Sequence, residues 1–330
     1  MLKPLDRQKT LEEQWQPNRP QKECVLDEID ALVDWEPILR RLEKMYRKDR
    51  GRPAIPPLGM FKLLLLEYFY DISDVRVVEE LRDRRSFERF CGIDLLENEV
   101  DDTTLVKFRE RLREANLTER LFDIFDKQIE TKGLLIKKGT LVDSTLVRGA
   151  HRPGATGSDG AALDPDVAWT RRDGKPEHGM KVSLSVDEGS EIVRQVVLTP
   201  ASVDDHTVFA DLVLGDEKKL YADKGYASRK NRNILASLDI KNGILYKGCY
   251  RRKLRGWQVS LNKRNNRHRA NVERKFAEAK KRHGVEQLRY RGIERNWVQV
   301  VFTIVAMNLK RMVKLVRRIK PRINEAVLCP

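Results

Sequence analysis

The hydrophobic period of this chain changes once, at Gly133, and that change limits the folds open to it more than any other feature. Up to about residue 132 the apolar residues recur at helical spacing. RPAIPP is a stiff punctuator, and LGMFKLLLLEYFY after it is an apolar run of helix length, closed by DISD, where Ser73 is placed to cap VRVVEELRDRR. DDTT offers caps before LVKFRERLREA, and Thr118 opens ERLFDIFDKQIETK, which Gly133 ends. Short helices with tight joins describe a compact all-helical bundle. Helix-turn-helix binding of DNA and plain packing are equally open for it.

Beyond Gly133 the runs shorten and fill with Val, Leu and Thr. GTLVDSTLV predicts a buried strand, and RGAHRPGATGSDGAALDPD after it predicts a long mobile loop. KVSLSVD and EIVRQVVLTP flank Glu188, Gly189 and Ser190, a hairpin signal. ASVDDHTVFADLVLGD predicts a helix begun by an Asp cap, KKLYADKGY a strand and SRKNRNILASLD a helix. Three strands in succession, then strands alternating with helices, make an α/β fold with a mixed sheet covered by helices. No internal repeat is present.

At 330 residues the chain can bury two domains, and 40% apolar with 35% charged residues places it among soluble globular proteins. Its net charge of +15 favours an acidic partner, nucleic acid or an anionic membrane. That charge is local. Residues 247–320 hold 23 Lys or Arg against four acids, which leaves the remainder of the chain slightly acidic. Four cysteines, Cys24, Cys91, Cys249 and Cys329, form no CxxC pair, and the five histidines are scattered, so neither a zinc site nor a disulfide framework is indicated. A reducing cytosol is the simplest home. No signal peptide is evident in the first twenty residues, and VQVVFTIVAMNL is too short to span a bilayer and reads as part of a buried helix.

Against this background three acids stand out. Asp143 lies inside LVDSTLV and Asp223 inside LYADKGY, and a lone carboxylate in a core strand is costly unless a cation compensates it. Mg²⁺ and Mn²⁺ take oxygen ligands of this kind. Glu273 sits in the basic stretch HRANVERKFAEAKKRHG. If RANVERKFAEAKKRH within it is helical, Val272, Phe276 and Ala279 form its buried edge, with Arg269, Glu273 and Lys280 about 100° round from it. Glu273 is then a half-buried ligand flanked by phosphate-binding cations. Each acid alone has a plainer reading, for Glu273 an i−4 salt bridge to Arg269 worth a few tenths of a kcal/mol. Together, beside this charge, they favour a metal site.

With VDST, YADKGY, DDTTLVKFRERL, DPDVAWTRRDGKPEHGMKVSLSVD and the spacing of Arg269, Glu273 and Lys280, the chain resembles the DDE transposases of bacterial insertion sequences, of the type of insertion sequence five. The resemblance implies a ribonuclease H-like catalytic domain at 133–320, a helical DNA-binding or dimerisation region at 1–132 and a tail at 321–330. It implies Asp143, Asp223 and Glu273 as catalytic residues holding two divalent ions, Mg²⁺ or Mn²⁺, which cut the ends of a mobile element and join the freed 3′-hydroxyl to target DNA. Two departures stand in the pattern: Asn266 where the family has Tyr, and Ser183 two residues after Lys181 where a His is frequent. Phosphate contacts are expected from Arg269, Lys280, Lys281 and Lys181, and from the cluster Arg251, Arg252, Lys253 and Arg255. Trp257 either stacks on an unpaired base or is buried. Partners implied are double-stranded DNA with terminal inverted repeats, target DNA and a second copy of the chain, in a bacterial cytoplasm at the nucleoid, with no membrane. The rival readings are a decayed or domesticated transposase that binds DNA without catalysis, and a nuclease of the same fold that cuts but does not join.

Overall fold

The structure, a computed structural model, describes residues 24–46, 54–158, 160–172, 174–248 and 253–327. The N-terminal twenty-three residues, Cys249, Arg251, Arg252 and Cys329 therefore lie outside the described residues. Packing divides the chain into two compact units, one of residues up to Gln128 with those from Val305 onward, the other Ile129–Ile304.

The first unit is helical, as its period requires. Helices Val25–Leu32, Glu36–Leu42, Pro57–Tyr70, Asp74–Asp83, Arg85–Cys91, Asp102–Glu114 and Thr118–Thr131 follow in order, the last ending in the second unit. Ser73 accepts from Arg76 N at 3.2 Å and Asp101 from Thr104 N at 2.6 Å, so both expected caps form. Gly133 takes φ +67°, the left-handed conformation that stops a helix. Pro57–Tyr70 is buried from Pro57 to Phe69, including two charged residues. Each is compensated. Lys62 pairs with Asp30 and stands 4.5 Å over the Trp35 ring. Glu67 accepts from Arg109 at 2.7 Å, and Arg109 also pairs with Asp74.

The second unit is built on strands β1 (Thr140–Val147), β2 (Ala168–Arg172), β3 (Lys175–Asp187), β4 (Val193–Pro200), β5 (Lys219–Ala222) and β6 (Lys241–Ile244). β1 is antiparallel to β3, which is antiparallel to β4; on its other side β1 is parallel to β5, and β5 to β6. The order β4-β3-β1-β5-β6, three antiparallel strands followed by two parallel ones, is the ribonuclease H-like arrangement that was expected. β2 is an addition, paired only with the first five residues of β3.

The sheet has two differently furnished faces. Val142, Leu220, Ala222 and Ile244 pack into a core with Val208, Phe209, Leu212, Tyr226, Leu235 and Ile240. On the other face Leu141, Asp143 and Tyr221 meet the helix Gly256–Arg282. That helix begins thirteen residues before the stretch from which it was expected. Its buried residues include Val272, Phe276 and Ala279, the edge foreseen from the period.

One expected element does not form, and two strands were not expected. Residues 201–217 are turns with one short 3-10 segment, Ala210–Leu212, in place of the expected helix. Local bonds win there: Thr207 Oγ1 donates to Asp204 O at 2.6 Å, and the Glu217 carboxylate accepts from Leu214 N and Gly215 N, closing a turn at Gly215. β2 and β6 were not foreseen; AWTRR and KNGI are too short and too polar to show a period. Among its described residues the glycine-rich passage after β1 has no helix or strand, yet it is tied down. Asp164 Oδ1 accepts from Gly292 N at 3.2 Å and Asp166 Oδ2 from Ile293 N at 2.8 Å, so they cap the last helix, Ile293–Val327. In that helix Val298 and Val300 to Met307 are buried, as its apolar composition demanded, with Gln299 accepting from Arg289 N at 2.9 Å. Among the described residues no helix is long and apolar enough to cross a membrane.

One ion cluster in this unit makes its stability depend on pH. Desolvation opposes the charge of Asp216, but bonds from Arg194 (2.6 and 3.0 Å) and Lys137 outweigh it and hold the carboxyl at about 2. A folded-state pKa below the unfolded value stabilises the fold above that unfolded value and ceases to do so as pH falls. Asp216→Asn is therefore expected to destabilise the protein at pH 7 by on the order of 1 kcal/mol after solvent screening. Denaturant titrations should show the deficit vanish between about pH 4 and about pH 2; a deficit of constant size would contradict this assignment.

Candidate active site

The parallel register of β1 and β5 sets Val142 beside Ala222. One step further are Asp143, still within β1, and Asp223, which directly follows β5 and precedes the 3-10 turn Lys224–Tyr226. Alternate residues share a face, so both follow Leu141 and Tyr221 onto the side crossed by the helix Gly256–Arg282.

Between them lies Arg269. Its Nη2 donates to Asp143 Oδ2 at 2.6 Å, and its Nη1 to Asp223 Oδ1 at 3.2 Å and to Asn266 Oδ1 at 3.3 Å. The Arg269 side chain is only 12% exposed, Asp143 16% and Asp223 35%. Burial pushes the Asp143 carboxyl above its ordinary range, against the pull of Arg269 and of the Ser144 N–H, which donates to it at 3.0 Å. Burial also works against the Arg269 charge, but Asp143, Asp223 and Glu273 outweigh it and hold the guanidinium above the ordinary arginine value.

Glu273, one turn beyond Arg269 on the same helix, is exposed, not half-buried as expected. The period fixes its angle from the buried edge, but nothing of the sheet reaches over it there. It makes no hydrogen bond or ion pair with another described residue, though its charge acts on Arg269. Among the described residues no three His, Cys, Asp or Glu side chains stand close enough to hold one ion. The structure thus gathers Asp143 and Asp223 as a pair and leaves Glu273 one helical turn from their shared cation. The donors are oxygens only, at neighbouring strand positions, with a positive group drawn between them, a set whose chemistry fits a hard divalent cation.

The remaining cations fall into two groups. Lys280 donates to Leu146 O at 2.7 Å, and Lys181 to Val203 O at 2.7 Å with Asp205 3.0 Å away, so both are engaged within the sheet's surroundings. Lys253, Arg255 and Lys281 are exposed. Trp257 is also exposed, edge-on to Tyr246 with centroids 5.3 Å apart. Ser183, at the position where a His was the alternative, is buried and pairs with Ser144 across β1 and β3.

Two features escaped the sequence reading. Tyr226 is fully buried behind the strand against Ser144 and Ser183; burial, then the charges of Asp205 and Asp143, push its phenol upward. His268, the neighbour of Arg269, pairs with Glu188 and stacks on Tyr221 with ring centroids 4.6 Å apart. Tyr in YADKGY was visible as a residue, but no local pattern announces a contact across β1 and β3.

The chain matches two family models, one described as Transposase domain (DUF772) over residues 13–111, the other as Transposase DDE domain over residues 135–309. A solved structure described as a cryo-EM structure of piggyBac transposase synaptic complex with hairpin DNA is similar at 10% identity and a TM-score of 0.41, covering 87% of this chain and 72% of that chain.

The raised Asp143 pKa has a measurable consequence. A carboxyl whose folded pKa exceeds its unfolded value contributes stability at low pH that is lost as pH rises through the folded value. In chelator-containing buffer, Asp143→Asn is therefore expected to gain stability relative to the parent as pH is raised from about 3.8 to 7. Parallel stability curves for the two proteins would refute the burial cost.

Proposed function

This chain belongs to the DDE transposases, DNA transposases that cleave DNA and transfer strands with divalent metal, and from that premise we propose that Asp143, Asp223 and Glu273 are its three catalytic carboxylates. The observation that carries the assignment is the placement of Asp143 and Asp223 at consecutive register positions of β1 and β5, on the face crossed by the helix that bears Glu273. Divalent ions bound there, Mg²⁺ or Mn²⁺ and two in number, would supply an activated attacking oxygen and a stabilised leaving oxygen for in-line displacement at a phosphodiester.

The chain's own groups do the rest. Asp143 is aimed by the Ser144 N–H and fixed within β1, so it is a rigid ligand. Among the described residues no side chain holds Glu273, and it can rotate toward the pair. Lys253, Arg255 and Lys281 offer exposed charge to the DNA backbone, joined by Arg251 and Arg252 from outside the described residues. Such contacts position DNA but do not read it. Recognition of terminal inverted repeats falls to residues 1–132, and chemistry to 133–320. Handling two element ends calls for two copies of the chain on DNA.

Asp143→Asn, Asp223→Asn and Glu273→Gln are each expected to lower cleavage and joining of terminal-repeat duplexes by roughly 10³-fold, the loss of several kcal/mol of transition-state stabilisation. Duplex binding in gel shifts should persist. Joined products longer than the input strands from any of the three variants, at the parent's yield, would defeat the assignment for that residue.

A further inference from the structure

We infer that Arg269 couples DNA binding to metal loading: in the free protein its guanidinium serves as the cation of the Asp143–Asp223 pair, and a DNA phosphate that draws it away opens the pair to divalent metal. The inference rests on the assignment of those aspartates as metal carboxylates.

Geometry makes the two cations mutually exclusive. The guanidinium bonds an oxygen of each aspartate, at 2.6 and 3.2 Å, with its side chain nearly covered. A metal held between the two carboxylates, at about 2.0–2.1 Å from an oxygen of each, would take the space that the guanidinium now fills. Both cannot be there. Among the described residues no other cation is placed this way: Lys280 is spent on Leu146 O, and Lys181 on Val203 O and Asp205.

Arg269 is held firmly but not completely. Its Nε is buried without a hydrogen-bond partner, and of its three acceptors only two belong to the aspartates, the third being Asn266 one turn earlier. A phosphate offers what this arrangement lacks, since it takes two parallel N–H bonds from one guanidinium. The helix around Arg269 also carries exposed Lys263, Arg264 and Arg267, which add to the positive potential offered to a DNA backbone.

Linkage then fixes the sign. DNA and metal both favour the state with Arg269 withdrawn, so each raises affinity for the other by the same factor. Without DNA the aspartates are neutralised internally, and the free protein resists loading metal for unproductive hydrolysis.

The test is Mn²⁺ binding to the full chain, read as free Mn²⁺ by electron paramagnetic resonance, with and without a random-sequence duplex whose own Mn²⁺ uptake is subtracted. For the parent, the duplex is expected to tighten Mn²⁺ binding about 10-fold, within the usual range of coupling. Arg269→Gln should bind Mn²⁺ without DNA as tightly as the parent does with it, and gain roughly less than 2-fold from the duplex. Arg269→Lys, which keeps the charge but lacks the guanidinium's rigid planar fork, should fall between. Arg274→Gln deletes the same charge from the next turn and should retain the parent's coupling, which separates a bridging role from general electrostatics. Mn²⁺ binding indifferent to both Arg269 variants, or equal coupling in them and the parent, overturns the inference alone. No Mn²⁺ binding by the parent, with or without duplex, overturns the carboxylate assignment and the inference with it.

Discussion

Two carboxylates at neighbouring positions on adjacent parallel strands repel one another, and in a half-buried site they stay charged together only beside a cation. The register of β1 against β5 creates that situation, because Val142 paired with Ala222 leaves Asp143 and Asp223 next in line on one face. A one-residue slip would turn the residues of one strand to the opposite face, Asp223 among them, where Val142, Leu220 and Ala222 meet a hydrophobic core. The hydrophobic face thus locks the register, and the register holds the two charges together. Stability of the core and chemistry of the opposite face are two consequences of one alignment.

The helix Gly256–Arg282 has to answer that alignment, and its contacts show how it is kept from sliding. Asn262 exchanges hydrogen bonds with the backbone of Tyr246 at 2.8 and 3.0 Å, and Asn265 donates to Gly243 O at 3.2 Å. His268 stacks on Tyr221, and Lys280 reaches Leu146 O. These anchors step across β6, β5 and β1 in order, so the helix crosses the sheet with its pitch fixed at both ends. Arg269 arrives between the aspartates as a result, and Glu273 a turn later. Positive charge on the same helix is then registered to the carboxylates to within a turn.

Much of this was readable in the chain. GTLVDSTLV and KVSLSVD have the composition of core strands, and the buried edge Val272, Phe276 and Ala279 follows from a period of 3.6, because each signal is set by neighbours a few residues away. What failed to show depends on distant partners. Arg269 looks from the sequence like an ordinary i,i+4 mate for Glu273, whereas in the fold it bonds Asp143, 126 residues away. The exposure of Glu273 depends on where the sheet ends, which no helical wheel contains. Residues 201–217 carry apolar spacing compatible with a helix, yet Val208, Phe209 and Leu212 reach the core from turns because Thr207 and Glu217 bond their local backbone more favourably.

The contrast between Asp216 and Asp143 separates the two uses this fold makes of buried acid. Asp216 has two structural cations, Arg194 and Lys137, and its carboxyl is held low. Asp143 has a strong partner and a backbone N–H, and burial still leaves it raised. An acid whose only task is structural would be expected to resemble the first, since evolution can add bonds until desolvation is outweighed. Asp143 remains under-compensated by a single positive charge shared with Asp223, and that deficit is the physical requirement of a site able to accept something more highly charged than an arginine.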